Sequence, residues 1–232
     1  MTAKHPAKYS KALLPVLKAC LTDVRRYGRQ AIVLDQMGGI GGIHQLRRPD
    51  LYTIANEIEW DWACQHESNV VGDALCLPFA SQTFDAWCCS VVYFNRMSDS
   101  HVAKDDSKRN TYTHVIGHKL HPHNAGQIQW NDKAREFTRE MLAESLRVLR
   151  RDQYARAILN VSNHIRAGIE QDVTQYHIDV MESMGMKVSE HYRVRTQRNR
   201  QGRNGNIRVN HESVIVFRWD LTDPPGTLRL EP

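Results

Sequence analysis

Val33-Leu-Asp-Gln-Met-Gly-Gly-Ile-Gly-Gly42 joins an apolar run, Ala31 to Leu34, to a polar stretch suited to opening a helix. A buried strand that ends in Asp35 and runs into four glycines lets the backbone approach a ligand with no Cβ in the way. Open α/β sheets hold nucleotide-like ligands at this place, the carboxyl ends of their strands. Glycine turns also serve merely to pack a helix on a strand, so the flanking sequence decides between the two readings.

Outward from the turn, strand and helix patterns alternate. Apolar positions at helical spacing run from Lys11 to Arg26, and again from Lys133 to Arg150 and Val173 to Met184. A short helix is expected at Trp60–His66. Strand-like runs follow at 31–35, 52–57, 69–73, 84–93 and 154–161. Met186–Val194 and Glu212–Trp219 read as a closing antiparallel pair. The pattern predicts an α/β fold of Rossmann-like type: a mostly parallel seven-stranded sheet, helices on both faces, and a terminal antiparallel hairpin. The whole chain, 1–232, reads as one domain without repeats. A long polar insert at about 94–131 and a basic loop at about 193–208 interrupt it.

The 232 residues are 41% hydrophobic and 25% charged, which suits one soluble domain. Neither a membrane-spanning run nor a secretory signal is legible, so a cytoplasmic location is expected. The five cysteines, Cys20, Cys64, Cys76, Cys88 and Cys89, form no C-x-x-C pair and read as reduced, mostly buried thiols. Net charge is +5. Arg193, Arg195, Arg198, Arg200, Arg203 and Arg208 lie in a stretch free of acids and rich in Asn and Gly. That stretch is either a solvated loop or a phosphate-tracking one. The arginine fork favours phosphate.

Three acids follow the strands in order: Asp35 the first, Glu57 the second, Asp73 the third. A carboxylate at the end of a second strand can accept hydrogen bonds from two ribose hydroxyls. The Asp73-Ala74-Leu75 turn could meet an adenine edge.

With these motifs the sequence resembles the S-adenosylmethionine-dependent DNA amino-methyltransferases, which act on adenine N6 or cytosine N4. His5-Pro-Ala-Lys-Tyr-Ser10 resembles the segment that touches the methionine end of the cofactor. Asp35 to Gly41 resembles the family's Asp-Pro-Phe-x-Gly-x-Gly. Ser90-Val-Val-Tyr93 stands where the family carries Ser/Asn/Asp-Pro-Pro-Tyr. The stretch Asn95 to Trp130 also resembles phage and prophage members. The resemblance implies S-adenosylmethionine as cofactor, DNA as partner, and cofactor contacts from Lys8, Ser10, Asp35, Met37, Gly39, Gly41, Glu57, Ile58, Asp73, Ala74 and Ser90. It implies Ser90 and the Val91 carbonyl as acceptors for the base amine, with Tyr93 stacking on an extruded base. Substrate contacts would come from Tyr93, Asn95, Arg96, Arg198, Arg200 and Arg203.

Two departures stand out. Val91 and Val92 replace the family's prolines, and Gln36-Met37 replaces Pro-Phe. Valine neither fixes φ nor lacks an N–H, so catalytic geometry depends on packing and on a partner for that N–H. A binding relative without turnover, or a methyltransferase of RNA or small amines, are the alternatives. His114, His118, His121 and His123 have no neighbouring Cys or acid, and read as polar contacts rather than metal ligands. Ser162, Asn163 and His164 follow the fifth strand and are expected to shape the base pocket. Trp60 and Trp62 read as core, although one could cover the cofactor's adenine.

Overall fold

The computed structural model of the chain describes His5 and residues 9–24, 28–94, 112–166, 168–196 and 207–222. Its strands are β1 (Ala31–Asp35), β2 (Leu51–Glu57), β3 (Asn69–Val71), β4 (Ala86–Ser90), β5 (Arg156–Val161), β6 (His164–Arg166), β7 (Ile169–Gln171), β8 (Met186–Arg195) and β9 (His211–Trp219). Seven of them form one sheet in the order β3-β2-β1-β4-β5-β9-β8, and β6 and β7 make a separate hairpin. β3, β2, β1, β4 and β5 run parallel. β9 lies antiparallel to both β5 and β8. The expected mostly parallel seven-stranded sheet with its closing antiparallel pair is borne out.

Alternation along the strands serves two cores. Leu34, Trp87, Leu159 and Ile215 point to one face and pack with Phe137, Met141 and Leu142 of α4 (Asp132–Val148). Val33, Cys88, Ile158 and Val214 point to the other and pack with Leu13 and Leu17 of α1 (Leu13–Cys20). Central parallel strands covered on both sides need such unbroken apolar runs. α4 starts where the Asn131 side chain accepts from the Ala134 amide at 3.2 Å. α5 (Val173–Ser183) starts on Asp172, which accepts from the Gln175 amide, and stops before Gly185 at φ +86°.

Several boundaries differ from expectation. The first helix closes at Cys20 and tightens into a 3₁₀ turn, Thr22–Val24, where the Thr22 hydroxyl bonds the Lys18 carbonyl. α2 covers only Trp60–Ala63. β4 ends at Ser90, so Tyr93 leaves the sheet. The polar insert contains α3 (Tyr112–Ile116) and a 3₁₀ turn at Ala125–Gln127. The β6–β7 hairpin was not expected, because its strands of three residues show no apolar alternation.

Two buried polar groups bolt the sheet together. At its lower edge the Asp85 carboxylate takes the Arg29 guanidinium at 2.6 Å, Arg150 at 3.2 Å and the Ile32 amide at 2.9 Å. At the upper edge fully buried Gln36 donates to the Ala74 carbonyl at 2.5 Å and the Met141 carbonyl at 3.0 Å. Its oxygen accepts from the Trp87 indole at 2.9 Å. A glutamine side chain thus ties β1, β4, α4 and the turn after β3, a task that proline at this position could not perform.

Candidate active site

Asp35, Glu57 and Ser90 are the last residues of β1, β2 and β4, and Asp73 stands two residues beyond β3. Strand order reverses at β1, which pairs with β2 on one side and β4 on the other. Ligands of open sheets bind beside such a reversal. All four side chains line one cavity of about 530 Å³ at this edge.

Close packing shapes the glycine turn. A Cβ on Gly38 would come within 2.4 Å of the Ala55 Cβ, so only glycine lets the turn lie against β2. Gly41 has φ +85°, a conformation that L side chains rarely adopt. Gly38 and Gly42 face the cavity with Met37, whereas Gly39 and Gly41 do not line it. The Gly39 amide donates to Glu57 Oε2 at 3.0 Å, and Glu59 donates its amide to Oε1 at 2.9 Å. Ile58, Ala74 and Ser10 also line the cavity. The Ser10 hydroxyl is buried and has no hydrogen-bond partner among the described residues. Lys8 lies outside the described residues.

Burial dominates the electrostatics. It pushes the Glu57 carboxyl up to about 7, against the pull of the Glu59 and Gly39 amides. Asp35 is pushed up to about 6 by burial, with the Tyr9 hydroxyl at 2.9 Å opposing. These shifts bear on stability. Between about pH 4.5 and about 7 the folded protein holds the Glu57 proton that the unfolded chain has released. The stabilisation is complete below that window and is lost as pH rises through it. Wild type is therefore expected to lose on the order of 3 kcal/mol relative to Glu57→Gln across the window, read by urea unfolding at its two ends. Parallel curves for the two proteins would contradict this assignment.

Asp73 accepts from the Leu75 amide at 2.9 Å and meets the His123 ring at 2.8 Å. His123 belongs to the polar insert, which Glu59 holds in place. Its Oε1 accepts from the His121 amide and the Asn124 side chain, each at 2.7 Å. The insert thereby supplies one wall of the cavity, through Tyr112, Asn124 and Gly126 among others. Trp62 is buried there, with its ring 4.3 Å from His5 and 5.6 Å from Tyr112, whereas Trp60 is exposed. No group of three or more metal-ligating side chains is gathered among the described residues. His118 pairs with Asp61 instead, and the His114 side chain lies outside the description.

The β4 end carries a polar cluster. The Asn160 amide donates to Ser90 Oγ at 3.0 Å, to the Tyr93 hydroxyl at 3.0 Å and to Glu212 Oε2 at 2.9 Å. Tyr93 donates to the same Glu212 oxygen at 2.8 Å. The Val91 N–H, which proline would lack, donates to the Asn160 carbonyl at 3.3 Å. Val91 and Val92 pack into the core, and Phe94 follows with φ +53°. A positive φ in an aromatic residue beside a site marks a backbone held by its surroundings. Here the Trp130 amide holds the Phe94 carbonyl at 3.3 Å.

Sequence reasoning missed Thr196 and Glu212, which line this wall, and Asn160, which bonds Ser90, Tyr93 and Glu212 without lining it. Asn160 carried a signal, as an amide inside the apolar run Ala157-Ile-Leu-Asn-Val161. Glu212 and Thr196 carried none. They reach the site through the pairing of β8 with β9, in which Val194 faces Glu212. Ser162, Asn163 and His164, expected at the pocket, do not line it. Ser162 bonds the His211 carbonyl and Asn163 accepts from the Thr174 amide, so both serve the fold. Arg193, Arg195 and Arg208 are exposed. Asn95, Arg96, Arg198, Arg200 and Arg203 lie outside the described residues. Cys20, Cys88 and Cys89 are buried, and Cys64 and Cys76 are exposed. No helix among the described residues is long and apolar enough to cross a membrane.

No protein-family model matches the sequence, and no curated protein matches it. Solved structures do. The Burkholderia thailandensis 1,6-didemethyltoxoflavin-N1-methyltransferase, solved with bound 1,6-didemethyltoxoflavin and S-adenosylhomocysteine, is 15% identical. Its match covers 91% of this chain and 79% of that one at a TM-score of 0.52. Magnesium protoporphyrin IX methyltransferase from Synechocystis PCC 6803, solved with bound S-adenosylmethionine, is 10% identical over 88% and 77% at 0.51. A SAM-dependent methyltransferase from Aquifex aeolicus is 11% identical over 90% and 93% at 0.51. These likenesses establish the fold, an open sheet of the Rossmann-like methyltransferase type.

Proposed function

We propose that this chain transfers a methyl group from S-adenosylmethionine to the exocyclic amino group of adenine or cytosine in DNA. The observation that carries the reading is the convergence of Asp35, Glu57, Asp73, Ser90 and Tyr93 on one cavity at the strand reversal. Solved structures of this fold, two of them with S-adenosylmethionine or its demethylated product bound, support the choice of cofactor.

The residues fit that cofactor. Glu57 ends the second strand, where its carboxylate can accept from a ribose diol. The Asp73–Ala74 turn and Ile58 suit an adenine, one offering polar edges and the other an apolar face. The Ser10 hydroxyl, without a hydrogen-bond partner among the described residues, suits the polar methionine end. When bound, the cofactor supplies an electrophilic methyl group on a sulfonium.

The chain's own residues do the rest. An exocyclic amine is a poor nucleophile because its lone pair is delocalised into the ring. Ser90 Oγ and the Val91 carbonyl, accepting the amine's protons, would favour a pyramidal nitrogen with an available lone pair. The Tyr93 ring, tethered through its hydroxyl to Glu212, would be the platform on which the extruded base stacks. The Val91 N–H bond to Asn160 and the packing of both valines supply the order that the missing prolines would have given. Alignment of this kind accounts for much of the rate in two-substrate reactions. Arg193, Arg195 and Arg208, exposed on and beside the β8–β9 pair, suit a phosphate backbone.

The test is to incubate the protein with DNA and labelled cofactor, digest the DNA, and identify the methylated nucleoside. N6-methyladenine or N4-methylcytosine is expected. Cofactor binding without transfer to any DNA would favour a binding module, and preferential transfer to RNA or a small amine would move the substrate.

A further inference from the structure

In a doubly wound sheet the glycine turn after the first strand opens a helix, which stiffens the turn against its ligand. Here the segment between β1 and β2 holds only a five-residue 3₁₀ turn, Gly42–Leu46. Such a turn has poorer hydrogen-bond geometry than an α-helix and does little to fix its own place. Gly38, Ile40, Gly42 and Gln45 of this segment nevertheless line the cavity. Their placement depends on side chains, and His44 supplies the contacts without lining the cavity itself. Its Nδ1 meets the Thr53 hydroxyl of β2 at 2.7 Å, and its Nε2 meets Asn69 Oδ1 of β3 at 2.8 Å. Arg47 Nε donates to Thr53 Oγ1 at 3.3 Å, which leaves the hydroxyl proton for Nδ1. Asn69 Oδ1 only accepts, so Nε2 carries the ring proton and the imidazole is neutral. The His66 ring stacks on it, with centroids 3.8 Å apart. The imidazole also fills the space beside Gly41, where a Cβ would come within 2.4 Å of His44 Cδ2.

We infer that His44 is a positioning residue for cofactor binding: its ring pins the second half of the glycine turn, Gly41 to Gln45, to β2 and β3 in the shape the ligand needs. This rests on the methyl-transfer reading and adds what holds the turn in the absence of a helix. The pin works only while the ring is neutral. A proton on Nδ1 would deprive the buried Thr53 hydroxyl of its acceptor. Burial, above all, keeps the ring's pKa below the usual histidine value, against the Asn69 bond that favours a proton. Arg47, at the end of the same turn, and His66, from the segment after α2, are the titratable groups facing the ring among the described residues, and both oppose a proton on it. Protonation and the pinned turn therefore exclude one another. Coupling between sites is reciprocal, so a ligand that needs the pinned turn makes His44 harder to protonate.

Two titrations of the full chain with S-adenosylhomocysteine test this. Long-range proton–nitrogen NMR of the histidine rings should show His44 as the Nε2–H tautomer at about pH 8. Its protonation midpoint should fall by about 0.5 or more when the ligand is saturating. Calorimetry at about pH 8 then compares variants. His44→Phe keeps a ring for the stack and removes both hydrogen bonds, and should weaken binding about tenfold or more. His44→Gln keeps a donor and an acceptor, and should bind within about threefold of wild type. Urea unfolding shows whether each variant is folded, and the wild-type midpoint carries the test if neither is. A midpoint that the ligand leaves unchanged or raises would overturn the inference. So would affinity of a folded His44→Phe within about twofold of wild type, or an equal loss in His44→Gln. The calorimetry of wild type separates the two levels. No binding there sinks the methyl-transfer reading itself, whereas binding beside an unmoved midpoint sinks only the role of His44.

Discussion

Glu57→Ala is expected to raise the dissociation constant of S-adenosylhomocysteine at least about 100-fold, measured by calorimetric titration. Above about pH 7, where the Glu57 carboxyl is ionised, a charge-assisted hydrogen bond contributes about 1.5–3 kcal/mol, and a ribose diol offers two. The carboxylate is also fixed in place: Gly39 and Glu59 donate amides to its two oxygens at 3.0 and 2.9 Å. Removing it frees the Gly39 amide and loosens the glycine turn beside the proposed ribose site. Glu57→Gln keeps one acceptor oxygen and should fall between the two, with a loss of about tenfold. Affinity within threefold of wild type for Glu57→Ala would show that the nucleoside is not read at this strand end.

The largest effect on stability is expected at the opposite edge of the sheet. Asp85→Ala should destabilise the protein by about 3–5 kcal/mol, read as a fall in the urea midpoint at unchanged slope. Asp85 is 1% exposed and bonds Arg29 in a fork, with nitrogens at 2.8 and 2.6 Å. Its loss leaves two guanidinium groups and the Ile32 amide without their anion. Removing one member of a buried ion cluster costs far more than an exposed pair would. Arg29 and Arg150 are about one-third exposed, 38% and 35%, so water recovers part of their solvation and holds the value inside that range. Because Asp85 lies away from the cavity, the folded variant should bind S-adenosylhomocysteine normally. A loss of stability below about 1 kcal/mol would contradict the role given to this cluster.

What the sequence made legible follows from the range of the interactions involved. β1 and β2 are bounded by local signals, each an apolar-rich run ending in an acid, with a glycine cluster beyond β1, and their ends stand within a residue of expectation. α4 is legible because its apolar stripe is strong and Asn131 caps it locally. The three strand-end acids follow from the same boundaries, which is why that half of the cavity could be read. The other half depends on partners distant in sequence. Glu212 meets Tyr93 and Asn160 only because β9 inserts antiparallel beside β5. Nothing near Glu212 in the chain announces that neighbour. Gln36 was visible as a departure from proline, but its reason is a set of contacts with Ala74, Trp87 and Met141, all far along the chain. The reading of Ser162-Asn163-His164 as pocket residues failed for a local cause. A short polar side chain after a strand competes for nearby backbone amides, and Asn163 is taken by the start of α5.

A crystal structure of the protein with S-adenosylhomocysteine tests the central claim most directly. The nucleoside should lie across the ends of β1 to β3, its ribose hydroxyls on the Glu57 carboxylate and its adenine beside Asp73, with the homocysteine sulfur turned toward Ser90. A nucleoside lodged elsewhere, or bound with Glu57 turned away from the ribose, would contradict the account.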